Sequence, residues 1–210
     1  MLTFKEQAEQ IKSKYPNLFL IERKGFYILK GILNITSHEH EDLGCFSIEI
    51  IESKGFPYRF PILFEVGGDI PIHADWHKYP NNSCCITVLP DEILKCKNGI
   101  SLHAFIEEHA KAYLANHLHR VKHGKYLNGE YSHGTRGFYQ FYSQLLRDGD
   151  KSKWREWIEL AFSSGKAISR NEPCICGSNK KYKHCHDKVF ADVRKIGKKQ
   201  IDNDFKRLFI

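Results

Sequence analysis

Four potential metal ligands lie close together near the C-terminal end of the 210-residue chain, in the stretch NEPCICGSNKKYKHCH at residues 171–186. The four residues are Cys174, Cys176, Cys185 and His186. Thiolate and imidazole are donors that zinc prefers, and a structural zinc site takes four of them in a tetrahedron. The Gly-Ser-Asn turn after the Cys-x-Cys pair lets the chain fold back around one ion. Unrelated loop cysteines are the alternative, but metal ligation explains all four residues at once.

This stretch resembles the SEC-C metal-binding motif from Arg170 to about Lys188. The resemblance implies a structural zinc ion, because four protein ligands leave no open position for a substrate. So short a segment cannot build its own hydrophobic core, and metal binding would supply the free energy of folding instead. We expect a zinc module with a basic C-terminal helix at residues 170–210. A linker that opens with Ser-Ser-Gly is predicted at residues 163–169.

The positive charge of the chain is concentrated in the same region. The net charge is +7, and the part from Lys166 onward holds twelve Lys and Arg against five Asp and Glu, whereas the first 165 residues are balanced. The pattern predicts one basic helix from Lys188 to Phe209, weakened at Gly197. Such a tail favours docking on an acidic protein face, a nucleic acid or a ribosome. A solvated amphipathic helix is an equally good explanation of the charge.

The rest of the composition favours a soluble, cytoplasmic protein. No apolar run approaches the roughly 18 residues of a membrane span, and the N-terminal residues are charged throughout, unlike a secretory signal. The seven cysteines are an odd number, and a reducing compartment suits them better than a disulfide scaffold. Those outside the metal motif are Cys45, Cys84, Cys85 and Cys96.

The first 162 residues show the order of elements of an α+β domain. Apolar residues at helical spacing, with Thr3 as a cap, predict an N-terminal helix over Leu2–Tyr15. Four runs rich in Ile, Leu, Phe and Tyr then predict a four-stranded antiparallel meander. These runs are Leu18–Glu22, Phe26–Ile35, Phe46–Ile51 and Ile62–Val66. C-terminal helices are predicted at Leu102–Val121, Phe138–Leu146 and Ser152–Phe162.

Between the meander and these helices, Gly67–Pro90 is too rich in Gly, Pro, Asn and His for regular structure. Loops of this length are usually functional.

With its flanks this loop reads FPYRFPILFEVGGDIPIHADWHKYPNNSCCITVLP, in which prolines flank the fourth strand and a histidine, a turn and a cysteine follow. This order resembles the catalytic half of ubiquitin-conjugating (UBC) enzymes, especially divergent bacterial members. The corresponding residues here are His77, Pro80, Asn81, Asn82, Cys85 and Ile86. The resemblance covers about Leu2–Leu146 and implies a UBC fold for residues 1–162.

The UBC resemblance implies transthiolation. A thiolate accepts an activated carboxyl group as a thioester and passes it to a nucleophile, a task that suits a good attacking and leaving group. Motif spacing and the aliphatic Ile86 favour Cys85 as this nucleophile, with Cys84 as its rival. Adjacent residues in an extended segment face opposite sides, so one thiol can face an acceptor while the other packs inward.

One position departs from the UBC pattern. The family has a His-Pro-Asn tripeptide whose asparagine helps to stabilise the oxyanion, whereas His77 stands eight residues before Cys85 in this chain. A histidine can donate an N–H to an oxyanion or accept a proton from a nucleophile. Asp75 is a candidate for orienting His77 or an incoming lysine, and His73 is a further candidate. The alternative is that His77 is an ordinary surface histidine.

Five other histidines lie on or beside the helix predicted from Leu102. No His-Glu-x-x-His motif is present, so these residues are expected to be solvated helix positions rather than ligands. They are His103, His109, His117, His119 and His123. No glycine-rich phosphate-binding loop occurs, so nucleotide hydrolysis is not expected.

The resemblance also implies partners. They are an activating enzyme and a ubiquitin-like or otherwise C-terminally activated protein, with a cGAS-like nucleotidyltransferase and a deconjugating protease as further candidates from bacterial antiphage defence operons. Membrane binding is not expected. Two alternatives remain open. One is a non-catalytic adaptor that binds a ribosome, a nucleic acid or a protein through the basic tail. The other is an unrelated α+β cysteine transferase or protease that uses Cys85 with His77.

Overall fold

The computed structural model describes residues 2–37, 39–127, 132, 134–163 and 168–209. The chain forms two compact units, and the first comprises Met1–Thr87 and Lys95–His133. The second comprises Val88–Leu94 and Gly134–Ile210. Among the described helices, none is both long enough and apolar enough to cross a membrane.

A four-stranded antiparallel meander forms the centre of the first unit. Its strands are hydrogen bonded in chain order, and they are β1 (Leu18–Arg23), β2 (Phe26–Thr36), β3 (Asp42–Ile51) and β4 (Ile62–Glu65). Alternate residues such as Leu33, Ile48 and Leu63 face inward and are almost fully buried. The predicted α+β class with a four-stranded antiparallel sheet is therefore confirmed, and the UBC fold stays a prediction.

Helices pack on the inner face of this sheet. They are α1 (Phe4–Gln10), α3 (Leu102–Ala104), a π-helical segment (Phe105–Ala110) and α4 (Lys111–His123). Thr3 and Glu6 form a capping box at the start of α1. This helix is shorter than the predicted Leu2–Tyr15 because turns replace it after Gln10. Phe4, Phe105 and Leu114 are fully buried in the shared core.

A helix that the sequence did not predict, α2 (Leu89–Cys96), begins inside the segment expected to be a loop. Pro90 suggested irregular structure, but a proline is tolerated in the first turn of a helix, where backbone N–H groups have no intrahelical partner. Asp91 and Glu92 also lie in that turn, where carboxylates interact favourably with the helix dipole. The irregular segment after the sheet therefore ends at Val88.

Four helices of the second unit lie after Gly134. They are α5 (Thr135–Leu146), α6 (Trp154–Phe162), α7 (Asp187–Ile196) and α8 (Lys198–Leu208). The Tyr142 hydroxyl on α5 donates a 2.8 Å hydrogen bond to the buried Asp204 carboxylate on α8. Helices placed by sequence in the first domain thus contact the C-terminal helices. The predicted domain boundaries stay a prediction, as does the linker at 163–169, of which residues 164–167 lie outside the described part.

The single helix predicted over Lys188–Phe209 is wrong, because the structure has two helices separated at Gly197. Gly197 has φ 87° and ψ 140°, which no residue of a right-handed helix adopts. Glycine enters this region without the steric cost that a Cβ atom would bring. The glycine therefore ends α7 and begins α8.

Candidate active site and metal centre

The four predicted metal ligands converge in the second unit. Their ligand atoms all lie within 4.8 Å of one another. The His186 Nδ1 atom is 3.2 Å from the Sγ atoms of both Cys174 and Cys185, and the Cys176 Sγ atom is 3.5 Å from that of Cys185. Zinc–sulfur bonds of about 2.3 Å in a tetrahedron place two sulfurs about 3.8 Å apart. The cluster therefore fits one metal ion, and its donors are those that zinc prefers.

Local backbone hydrogen bonds bring the two ligand pairs together. The Cys174 N–H donates to the Lys180 carbonyl at 2.7 Å, and the Tyr182 N–H donates to the Glu172 carbonyl at 2.8 Å. Gly177, with φ 73°, makes the reversal between these strand-like segments possible. A short 3₁₀ turn, Tyr182–His184, then delivers the Cys-His pair to the same point.

A side chain of α6 and one just after α5 support the ligands. The Trp157 ring stacks on the His186 imidazole, with centroids 4.9 Å apart and planes 2° from parallel. The Arg147 guanidinium donates to the Cys185 carbonyl at 3.4 Å. Burial lowers the pKa of His186, and this effect is only partly offset by the Leu146 carbonyl. The imidazole is thus favoured in the neutral form that a metal ligand requires.

The thiols of the cluster differ in their surroundings. Burial raises the pKa of Cys174 to about 11. At Cys176 the effect of burial is outweighed by hydrogen bonds with the side chain and amide of Ser178, which lower the pKa to about 7. The hydrogen bonds with Ser178 therefore favour the Cys176 thiolate, and a bound cation would favour deprotonation of all three thiols.

In the first unit, Cys85 lies on a tight β-hairpin that follows β4. The Cys85 N–H donates to the His77 carbonyl at 2.7 Å, and the Tyr79 N–H donates to the Ser83 carbonyl at 2.9 Å. Lys78 pairs with Cys84 between these two bonds. The eight-residue spacing between His77 and Cys85 is therefore the spacing of directly opposed hairpin residues.

The two adjacent cysteines face opposite sides of this hairpin. Cys84 is only 8% exposed, and its N–H donates to the Leu63 carbonyl of β4 at 2.8 Å. Burial raises the pKa of Cys84 to about 11. Cys85 is half-buried, and the Tyr79 hydroxyl donates to its Sγ atom at 3.0 Å. Burial also raises the pKa of Cys85, an effect that the Tyr79 hydrogen bond opposes. The accessible thiol is therefore that of Cys85.

The other predicted residues surround this hairpin. His77 has φ 50°, its carbonyl accepts from the Tyr113 hydroxyl at 3.0 Å, and its ring packs edge to face on Tyr126 at 5.6 Å. The Asp75 carboxylate lies 3.5 Å from His73 Nδ1, so these two candidates lie together. The structure thus brings the backbone of His77 to Cys85 and a carboxylate to His73.

Arg120 on α4 holds the short 3₁₀ turn, Ala74–Trp76, that precedes His77. Its guanidinium lies over the Trp76 ring at 4.1 Å and donates to the Asp75 carbonyl. It also donates to the Tyr126 hydroxyl at 2.9 Å. Cation–π and charge-assisted contacts of this kind fix the backbone at the start of the hairpin.

A buried ion pair, which the sequence analysis missed, anchors the same hairpin arm. The Lys78 Nζ atom lies 2.6 Å from Glu65 Oε2 and donates to the Ile70 carbonyl at 3.0 Å. Both side chains are at most 2% exposed. Burial favours the protonated form of Glu65, but hydrogen bonds from Lys78 and from loop amides give a lowered pKa. The alternation of side chains in a hairpin could have revealed an inward lysine between His77 and Tyr79, which requires a carboxylate.

The expectation that His117 is solvated is wrong. It is 2% exposed, stacks on Trp76 with centroids 6.0 Å apart, and meets the Tyr113 ring edge to face at 4.5 Å. Four residues after Tyr113, it lies on the same face of α4, which packs on the 3₁₀ turn. Burial, with contributions from His77 and Arg120, lowers its pKa to about 3.

We expect the first unit to lose stability as the pH falls below 6.5, the ordinary pKa of a histidine. Above that pH His117 is neutral in the folded and the unfolded chain and contributes nothing. Below it only the unfolded chain takes up the proton, until the pH nears the folded pKa of about 3. The free energy of unfolding should therefore fall by about 1.4 kcal/mol per pH unit.

Urea titrations read out by hydrogen exchange in β2 and β3, between about pH 7 and about pH 5, measure this slope. The control is His117→Phe, which keeps an aromatic ring at the site and should have a flatter slope. Equal slopes in the two proteins would contradict the account.

Comparison with known proteins identifies the metal region alone. Residues 170–187 match the model of the SEC-C motif, which confirms that expectation. The chain is 56% identical over 34 residues to the protein translocase subunit SecA of Aromatoleum aromaticum, covering 16% of this chain and 4% of that protein. It is 68% identical over 25 residues to SecA of Nitrosococcus oceani, and this match covers 12% of this chain and 3% of that protein. It is 36% identical over 67 residues to SecA of Dechloromonas aromatica, and this match covers 32% of this chain and 6% of that protein. No solved structure matches. The chain thus spans at most 6% of these relatives, and it contains a SEC-C motif with a Cys₃His cluster.

Proposed function

We propose that the chain is a ubiquitin-conjugating-like transferase that forms a thioester on Cys85. The observation that carries the proposal is the half-buried Cys85 thiol on a hairpin that follows a four-stranded meander, with its neighbour Cys84 turned inward. Two further features support it. The hairpin is anchored by the buried Lys78–Glu65 pair, and the turn before it is held by Arg120. A fixed scaffold around one accessible thiol suits covalent catalysis.

The proposed reaction has two steps. In the first, the Cys85 thiol loses its proton, and the sulfur attacks the carbonyl carbon of a thioester on an activating enzyme. The carbon–sulfur bond to the activating enzyme breaks, and the departing thiolate of that enzyme takes up a proton. In the second, an amine or another nucleophile attacks the carbonyl carbon of the Cys85 thioester. The carbon–sulfur bond breaks, the nucleophile gives its proton to solvent, and Cys85 leaves as a thiolate. His77 and Asp75 remain candidates for assisting these proton transfers.

The partners proposed for this reaction are an activating enzyme and a ubiquitin-like or otherwise C-terminally activated protein. A cGAS-like nucleotidyltransferase is a candidate acceptor, and antiphage defence is the proposed setting. We also propose that the ion in the Cys₃His cluster is zinc and that its role is structural, since four protein ligands close the coordination sphere. The exposed basic residues of α7 and α8 would recruit a substrate or partner.

A thioester-trapping assay tests the proposal. With an activating enzyme, its ubiquitin-like protein and ATP, the wild type should form an adduct that an added thiol removes by thioester exchange. Cys85→Ala should abolish the adduct, because no thiol remains to accept the acyl group. Cys84→Ala is the matched control and should retain it, since the buried Cys84 faces the core. An adduct of equal yield on Cys85→Ala would contradict the proposal.

A second candidate is a non-catalytic adaptor, favoured by the SEC-C match and the charge beside it. Lys180, Lys181, Lys183 and Lys188 around the ligands are all exposed. Binding of an acidic protein or a nucleic acid through these residues would weaken steeply with salt. Polyanion binding with this salt dependence, together with full function of Cys85→Ala in cells, would favour the adaptor over the transferase.

A further inference from the structure

We infer that Tyr79 is a catalytic residue whose hydroxyl donates a hydrogen bond to the Cys85 sulfur whenever that sulfur carries negative charge. The inference rests on the proposed transferase for its chemistry, but the contact itself is present in the structure. The Tyr79 hydroxyl lies 3.0 Å from the Cys85 Sγ atom. Neither the sequence pattern nor the UBC resemblance indicated this residue.

The register of the hairpin explains why Tyr79 and Cys85 meet. Tyr79 is opposite Ser83, and His77 is opposite Cys85, so Tyr79 and Cys85 are diagonal neighbours across the two arms. They also share a face. Lys78 and Cys84, which directly precede Tyr79 and Cys85 on their arms, both turn into the core, so Tyr79 and Cys85 both turn away from it. A long aromatic side chain spans the 7–8 Å or so of a diagonal pair. The hydroxyl therefore reaches the sulfur from the exposed face.

Contacts on the buried side of the hairpin hold the backbone of Tyr79 in place. The neighbouring Lys78 side chain is held by the 2.6 Å contact with Glu65. Opposite Tyr79, Ser83 pairs with Phe64 of β4, and its N–H and hydroxyl donate to the Asn81 side chain at 3.1 and 2.7 Å. The turn of the hairpin is thus tied both to itself and to the sheet. These contacts fix the backbone of Tyr79, from which its half-exposed side chain reaches the Cys85 sulfur.

The Cys85 sulfur carries negative charge twice in the proposed reaction, as the attacking thiolate in the first step and as the leaving group in the second. A phenol is a neutral donor that keeps its proton near neutral pH, so it stabilises the thiolate in both steps without being consumed. The pKa of Cys85 agrees with this role, because burial raises it while the Tyr79 hydrogen bond pulls it down. Without Tyr79, the half-buried site would favour the protonated thiol in both steps.

The comparison of Tyr79→Phe with the wild type tests the inference. Full-length protein is treated with iodoacetamide over a range of pH, and tandem mass spectrometry resolves alkylation at Cys85 from that at Cys84. The midpoint for Cys85 should move up by about one pH unit in the variant, since a hydrogen bond to a charged group is lost. Discharge of a preformed Cys85 thioester to a free amine should slow about tenfold. The matched control is Tyr58→Phe, because Tyr58 is also an exposed tyrosine of the first unit.

The outcomes separate the inference from the proposed function. A midpoint that moves in Tyr79→Phe but not in Tyr58→Phe, with equal urea unfolding midpoints for all three proteins, supports the inference. An unchanged Cys85 midpoint overturns it, whatever the thioester assay shows. If the wild type forms no thioester, the proposed function fails and the catalytic role of Tyr79 fails with it, even where the midpoint shift shows the hydrogen bond to be real.

Discussion

Loss of the metal should unfold the ligand-bearing segment at residues 170–186. Chelation, or Cys174→Ala, removes a binding free energy that is about 10–16 kcal/mol in zinc-finger peptides. The segment has little else to hold it, because apart from the ligands Tyr182 is its one large buried side chain among the described residues. Hydrogen exchange of the Cys174, Tyr182 and Lys183 amides, which are now bonded to carbonyls within the segment, measures the loss.

Metal content and a control variant complete this test. Atomic absorption should find one zinc ion in each wild-type chain and none in Cys174→Ala. The control is Cys45→Ala, which replaces an exposed cysteine of β3 and should keep both the metal and the amide protection. Slow exchange of these amides in fully chelated protein would show that the segment folds without a metal.

The second large effect is expected from Lys78→Met. This change leaves the Glu65 carboxylate buried without its cation, and breaking a buried pair in this way costs about 3–5 kcal/mol. The backbone amides of Gly68, Asp69 and Ile70 still donate to the carboxylate, which favours the lower end of that range. Urea unfolding of the first unit measures the cost. Because Lys78 lies in the hairpin arm between His77 and Tyr79, the rate of alkylation at Cys85 should change as well.

The double variant Glu65→Gln with Lys78→Met is the matched control. The glutamine keeps a carbonyl oxygen for the loop amides, and no charge remains in the core. We therefore expect the double variant to be more stable than Lys78→Met alone. If the double variant is the less stable of the two, the charge of the pair is not what stabilises the hairpin.

Much of the first unit could be predicted because its signals are local. The strands alternate apolar and polar residues, so their positions agree with the sequence-based ranges to within a few residues. The position of α2 could not be found in this way, since Pro90 has opposite meanings in a loop and in the first turn of a helix. The metal ligands were found because their residue types and spacing are themselves the signal.

The residues missed at the candidate site depend on contacts between distant segments. Lys78 is charged, yet its place in the hairpin turns it toward Glu65 on β4. His117 has a helical position that could equally be exposed, and its burial depends on rings from other segments, among them Trp76 of the 3₁₀ turn and Tyr126. Tyr79 contacts Cys85 across the hairpin, so its role depends on a register that no propensity specifies.

The central claim is that Cys85 accepts an acyl group, and intact-mass spectrometry of the charged protein tests it most directly. After incubation with an activating enzyme, its ubiquitin-like protein and ATP, the wild-type mass should increase by one ubiquitin-like protein less one water. Peptide mapping should place the acyl group on Cys85, and an added thiol should remove it by thioester exchange. The absence of any acyl group on Cys85 in the wild type, or an equal gain in mass by Cys85→Ala, would contradict the account.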